Sequence, residues 1–206
     1  WYPATVPTTV LAALVANEVY PDPYYGLNLK SIPGFQEGRW LRMPEDSPFR
    51  PHWWYRTEFA LPEADEDRHF TLHLDGINYQ ANVWLNGTRI ADKDTVEGMF
   101  QRFEFDVDGI VKPGEKNCLA VEIIPPGLLP DKDYHTKQVQ ASTGWDDHNP
   151  QPPDLNMGIW EDVYITVSGP AQIKHPYVDA DLNVPELDRA RLAVSAQIMN
   201  TSDAPA

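Results

Sequence analysis

Trp53-Trp54-Tyr55-Arg56-Thr57-Glu58-Phe59-Ala60-Leu61 repeats with a period of two, the spacing of an extended strand with one face buried and one in water. Trp53, Tyr55, Thr57, Phe59 and Leu61 make one set, and Trp54, Arg56, Glu58 and Ala60 the other. The triplet Trp53, Trp54, Tyr55 offers rings on which sugars stack, but alternation splits it between two faces, so at least half of it belongs to a core. Arg56 and Glu58 share a face and read as a solvated ion pair.

Downstream the same period recurs in Phe70, Leu72, Leu74 and in Ala81, Val83, Leu85, which run into Asn86-Gly87, a strong hairpin signal, with Ile90 returning. Gln101 to Val107, Leu119 to Ile123 and Val163 to Val167 add further strands. Short strands joined by turns with almost no helix predict an all-β, antiparallel jelly-roll sandwich. One short helix is expected upstream, where Pro7, Thr8 and Thr9 precede Val10, Leu11, Leu14 and Val15 at helical spacing, ending near Asn17. Pro21, Pro23 and Gly26 make the next segment a loop, packed down by Tyr20, Tyr24 and Tyr25.

Two regions depart from this rhythm. Pro125 to Gly158 is long, polar and rich in proline, and so large a loop is the first place to seek ligand contacts. After Gly169-Pro170, two more strands are expected, around Tyr177 to Leu182 and Leu192 to Ile198. They are too few to close a second sandwich, so the chain reads as truncated within its next domain.

The 206 residues suit one full domain and a remnant. A net charge of -15 repels nucleic acid and anionic membranes and suits a neutral or cationic partner. No stretch approaches the roughly 20 apolar residues of a membrane span. Cys118 is the single cysteine, which excludes an intrachain disulfide; within the apolar run to Ile123 it reads as a buried, inert thiol. His69 and His73 are four apart, but on a strand, which is not metal-ligand spacing. No phosphate loop or EF-hand pattern appears, so no metal and no cofactor is expected.

Several stretches in order resemble family 2 glycoside hydrolases, in the branch of exo-β-D-glucosaminidases and plant-type endo-β-mannosidases. They are Pro3 to Leu11 (PATVPTTVL), Tyr20 to Gly26 (YPDPYYG), Trp54 to Thr57 (WYRT), Asp75 to Gly87 (DGINYQANVWLNG) and Asn156 to Val163 (NMGIWEDV). Within the last, Gly158 reads as a tight backbone position and Trp160 as core filler. The resemblance implies a galactose-binding-like jelly roll over 1–168. It implies that 169–206 begin an immunoglobulin-like sandwich, which a (β/α)8 barrel follows in the parent polypeptide. The parent's two catalytic glutamates lie on that barrel, so no residue here is catalytic. Asn17-Glu18 imitates the acid/base dipeptide of the family but falls at a helix end, and is assigned no catalysis.

The resemblance also assigns substrate contacts to Ser142-Thr143-Gly144-Trp145-Asp146, since related β-mannosidases send a Gly-Trp-Asp-Trp segment of this domain into the barrel's pocket. An indole stacks on a pyranose and a carboxylate accepts hydroxyl or ammonium protons, which makes Trp145 and Asp146 candidates. Asp147 stands where the family has a second tryptophan, and an extra carboxylate there favours glucosamine over a neutral sugar. The expected partners are an amino sugar or mannoside and the remaining domains of the same polypeptide, in a secreted or periplasmic enzyme. A β-mannosidase domain and a free-standing carbohydrate-binding module are the alternatives.

Overall fold

A computed structural model describes residues 1–37, 43–64, 67–125 and 152–201. Thr9 opens the helix α1 (Val10–Ala16) by accepting the Ala12 N–H on its side chain at 3.2 Å. Val10, Leu11 and Leu14 form the buried stripe of α1, and Asn17 closes it by donating its side-chain amide to the Ala13 carbonyl at 2.7 Å. A single-turn helix, α2 (Asn28–Ser31), adds to the one helix anticipated; it is too short to leave a periodic signal. The loop between them is not pinned as expected. Tyr20 packs against Phe49, with ring centroids 6.1 Å apart, but Tyr24 and Tyr25 are 79% and 76% exposed.

The strands are β1 (Thr8–Thr9), β2 (Trp53–Ala60), β3 (His69–Leu74), β4 (Ile77–Asn78), β5 (Gln80–Leu85), β6 (Thr88–Glu97), β7 (Phe103–Asp106), β8 (Lys116–Ile124), β9 (Gly158–Ile159), β10 (Val163–Ser168), β11 (Ala171–Leu182) and β12 (Ala190–Asn200). Two antiparallel sheets, ordered β2-β8-β5-β6 and β10-β3-β7, close on a shared core, and a small sheet β1-β9-β4 joins the first strand to the last part of the domain. The register explains the alternation read in the sequence. Trp53, Ile123 and Ala81 align in one inward row, and Tyr55, Val121 and Val83 in the next. From the opposite sheet, Leu72 between Ile165 and Phe105, and Leu74 between Val163 and Phe103, complete the core. This is the galactose-binding-like sandwich expected.

Asn86 and Gly87 have φ of 52° and 83° between the paired residues Leu85 and Thr88, the left-handed pair that a two-residue hairpin demands. Asn86 also staples the turn to its neighbours. Its amide donates to the Ile110 carbonyl at 2.8 Å, and its carbonyl accepts the Cys118 N–H at 2.9 Å. Cys118 corrects the sequence reading: Leu119, Val121 and Ile123 point inward, so it faces outward, half-buried, opposite Glu58. His69 and His73 sit on β3 as read, held separately by Asp108 at 2.7 Å and the Thr166 hydroxyl at 2.8 Å.

β2 and β10 lie at the edges of their sheets, and between them the sandwich encloses a cleft of about 740 Å³ lined by Trp53, Tyr55, Phe59, Val163, Ile165 and Val6, among others. Its walls are mainly core side chains, and the Tyr55 hydroxyl is already spent on the Thr8 carbonyl at 3.1 Å. It is therefore the open seam of the sandwich, walled for the most part by its own core.

Beyond Pro170, β11 and β12 form a ribbon with a largely apolar face: Ile173, Val178, Leu182, Leu192, Val194 and Ile198 share it, each more than half exposed. Lys174 ties the ribbon to the sandwich through Glu104 at 2.6 Å.

Candidate functional site

β8 ends at Ile124, and the described residues resume at Pro152, on the far side of the long segment in sequence. Trp145, Asp146 and Asp147 lie outside the described residues. The described residues define the root of that segment, and it is tightly built. Pro152 to Leu155 are all buried, and a turn closes there with the Leu155 N–H on the Pro152 carbonyl at 2.9 Å.

Asp154, wholly buried, organises this root. One carboxylate oxygen accepts the Leu11 N–H at 2.8 Å, and the other accepts the Asn156 N–H at 3.0 Å. The first bond caps an otherwise unpaired donor in the opening turn of α1. Burial pushes the Asp154 carboxyl up to about 6, against the pull of its hydrogen bonds from Leu11, Asn156 and Thr9. The Tyr55 phenol is pushed up as well, by burial first and by the nearby Asp154 charge second.

Asn78, equally buried, holds the other side by donating its amide to the carbonyls of Leu155 and Asn156 at 3.0 and 2.9 Å. Leu155 and Asn156 both take left-handed φ, 51° and 56°, which aims these carbonyls inward. The Val10 N–H adds a bond to the Met157 carbonyl at 2.9 Å. Gly158 then passes between β1 and β4 with φ 145°, where a Cβ would stand 2.8 Å from the Thr8 carbonyl oxygen, the Thr9 Cα and the Tyr55 hydroxyl. The tight backbone read at Gly158 is therefore present. Trp160 is half-buried, with its indole N–H on the Met99 carbonyl at 3.0 Å.

A second constellation occupies the outer face of the four-stranded sheet. Trp54 and Trp84 lean together across the small side chain of Ala120, with centroids 5.1 Å apart and planes 29° off parallel. In the adjoining row, Glu122 lies between Trp54 and Asn82. Its oxygens are engaged by the His52 imidazole at 2.9 Å and the Asn82 amide at 2.7 Å. Burial works to raise the Glu122 carboxyl, but these two partners outweigh it and hold the group below the ordinary glutamate value. Sequence reasoning singled out Trp54 and missed Trp84, Glu122 and Asn82. Once the strands were registered their parity would have found them, since each is the outward residue beside an inward Val83, Val121 or Ala81. Asp154 gave no such signal.

Among the described residues, no group of three or more His, Cys, Asp and Glu is placed to hold a metal ion. No helix of the described residues is long and apolar enough to cross a membrane.

Residues 1–161 match the family model described as the glycosyl hydrolase 2 galactose-binding domain-like. The chain is 37% identical over 204 residues to an exo-β-D-glucosaminidase of Streptomyces avermitilis, a match spanning 99% of the chain and 20% of that relative. It is 35% identical over 187 residues to a mannosylglycoprotein endo-β-mannosidase of Lilium longiflorum, covering 84% of the chain and 18% of the relative. The crystal structure of the exo-chitosanase CsxA of Amycolatopsis orientalis superposes with a TM-score of 0.76 at 33% identity, over 98% of this chain and 21% of that one. The chain thus spans about a fifth of the length of the curated relatives it matches. With a sandwich of this topology and a family match over most of its length, the chain belongs to the galactose-binding-like domain family of the family 2 glycoside hydrolases.

Proposed function

We propose that this chain is the non-catalytic amino-terminal domain of a retaining exo-β-glycosidase, an exo-β-D-glucosaminidase acting on chitosan oligosaccharides. The observation that carries this reading is the 37% identity to such an enzyme along nearly the whole chain, while the chain accounts for 20% of it. Residues 1–168 form the jelly roll, and 169–206 open the immunoglobulin-like domain. The one-sided apolar ribbon of β11 and β12 supports that division, because a second sheet would bury its face.

In this reading the segment rooted at Asp154 lends Trp145 and Asp146 to one wall of the active site. Trp145 stacks on the terminal sugar, Asp146 accepts its protons, and Asp147 adds negative charge that favours an ammonium. The chemistry belongs to the barrel, where one carboxylic acid protonates the leaving oxygen and a second carboxylate, roughly 5 to 5.5 Å away, attacks the anomeric carbon. A β-mannosidase is the second reading, favoured by the 35% identity to the lily endo-β-mannosidase; a mannoside offers no ammonium to Asp147.

The test compares the 206-residue chain with the full polypeptide that carries it, assayed for glucosamine release from chitosan oligosaccharides and for cleavage of mannosides. The expected result is turnover of the glucosaminide by the full polypeptide alone. Trp145→Ala should lower kcat/KM by about tenfold or more, the loss of one stacked ring. Cleavage of the mannoside with no action on the glucosaminide establishes the second reading instead.

A further inference from the structure

Trp54 and Trp84 present aromatic surface on the solvent side of the four-stranded sheet, where a half-buried strand ordinarily carries polar groups. Trp54 is 44% exposed although it sits in a strand paired along its full length with β8. Trp84 backs it, so the two rings form a braced unit with little freedom left to lose on binding. Beside the rings stands a carboxylate whose orientation is fixed from both sides. His52 engages one oxygen of Glu122 and Asn82 the other, and Asn82 is fixed in turn by accepting the Lys93 N–H at 2.9 Å. Each Glu122 oxygen keeps a lone pair for a further donor.

A flat apolar ring, an ordered anion at its margin and an imidazole within reach form a set that pyranose recognition uses: the ring takes the C–H face and the anion takes hydroxyl or ammonium protons. A protein partner would call for a broader apolar patch than one ring pair edged by charge. Within a chain of net charge -15, both the ionised Glu122 and the electron-rich indole face favour a cationic sugar over a neutral one.

We propose that Trp54, braced by Trp84 and flanked by Glu122, is an accessory surface site for an amino-sugar unit of a β-linked oligosaccharide, one that binds without calling on Trp145. The choice of an amino sugar rests on the function proposed above; the stacking platform itself does not. The site holds a polymeric substrate on the outside of the domain.

Calorimetric titration of the 206-residue chain with a glucosamine hexamer tests the proposal, with the N-acetylated hexamer and mannobiose as comparisons. Binding is expected, weakened about tenfold or more by Trp54→Ala, largely restored in Trp54→Phe and untouched by Trp145→Ala. Glu122→Gln is expected to weaken the glucosamine hexamer several-fold and leave the N-acetylated hexamer unchanged. Circular dichroism of each variant confirms that the sandwich is intact. Equal affinity in folded Trp54→Ala and the wild type overturns the proposal, and if Trp145→Ala then abolishes binding, the reading of that segment stands without it. Absence of binding to every oligosaccharide also overturns it, while leaving a domain that works only beside its barrel. Binding that depends on Trp54, together with a full polypeptide that does not cleave glucosaminides, upholds the surface site and sinks the proposed activity.

Discussion

The Asp154 carboxylate accepts the backbone N–H of Leu11, 143 positions away, at 2.8 Å, joining the root of the long segment to the first turn of α1. That bond fixes where the chain following the segment is seated. It also buries a titrating group, with a consequence for stability.

Asp154 titrates at about 6 in the folded chain, against 3.8 for a free aspartate. The folded state therefore holds more protons than the unfolded state across that interval, and the stabilisation present below pH 4 is lost as pH rises through 6. The change is about 3 kcal/mol. Urea unfolding of the wild type and of Asp154→Asn, compared from pH 4 to 7, should show the wild type losing about that much relative to the variant. A difference that stays constant with pH would mean that Asp154 is ionised throughout.

Gly158→Ala should be among the most damaging single changes in the domain. The added methyl meets backbone at the Thr8 oxygen and the Thr9 Cα, at 2.8 Å each, and neither has room to retreat within the paired strands. A loss of about 3 kcal/mol or more is expected in urea unfolding, and a loss under about 1 kcal/mol would show that β1 can shift.

Gly87→Ala separates backbone strain from steric clash. Its φ of 83° is as foreign to alanine, but nothing lies within 4 Å of the added methyl. The expected cost is therefore only the left-handed penalty of about 1 to 2 kcal/mol. Parity with Gly158→Ala would remove packing as the reason for the glycine at 158.

The ribbon face should bind a hydrophobic dye. Val194 and Ile198 are 71% and 72% exposed on it, so the double change to Lys should abolish most of the dye fluorescence and leave thermal unfolding of the sandwich within about 0.5 kcal/mol. Unchanged fluorescence would locate the dye elsewhere, the seam between β2 and β10 being the next place to look.

Much of this architecture is legible from local rules. Trp53, Trp54 and Tyr55 sort by parity, Asn86-Gly87 marks its turn, and Thr9 marks its helix, because each is decided by neighbours a few positions away. Cys118 was open to the same reasoning, since a residue before Leu119, Val121 and Ile123 points the other way; the apolar run hid that alternation. Asp154 could not be found so. An acidic residue after two prolines looks like solvated loop until the fold carries it to the Leu11 N–H. Tyr24 and Tyr25 fail for the opposite reason, because aromatic character alone does not create a surface to pack against. The sugar-contact residues Trp145, Asp146 and Asp147 stand on a family motif, which no spacing rule supplies.

The pairing of Thr8 and Thr9 with Ile159 and Gly158 also sets an order of events during synthesis. Translation delivers α1 first, but the partners that seat it, Asp154 and Met157, emerge only after every strand through β8 has been made. On the ribosome the first helix must wait in the open for most of the domain's translation, and closure becomes a late, long-range step of the kind that slows folding and exposes apolar surface to chaperones.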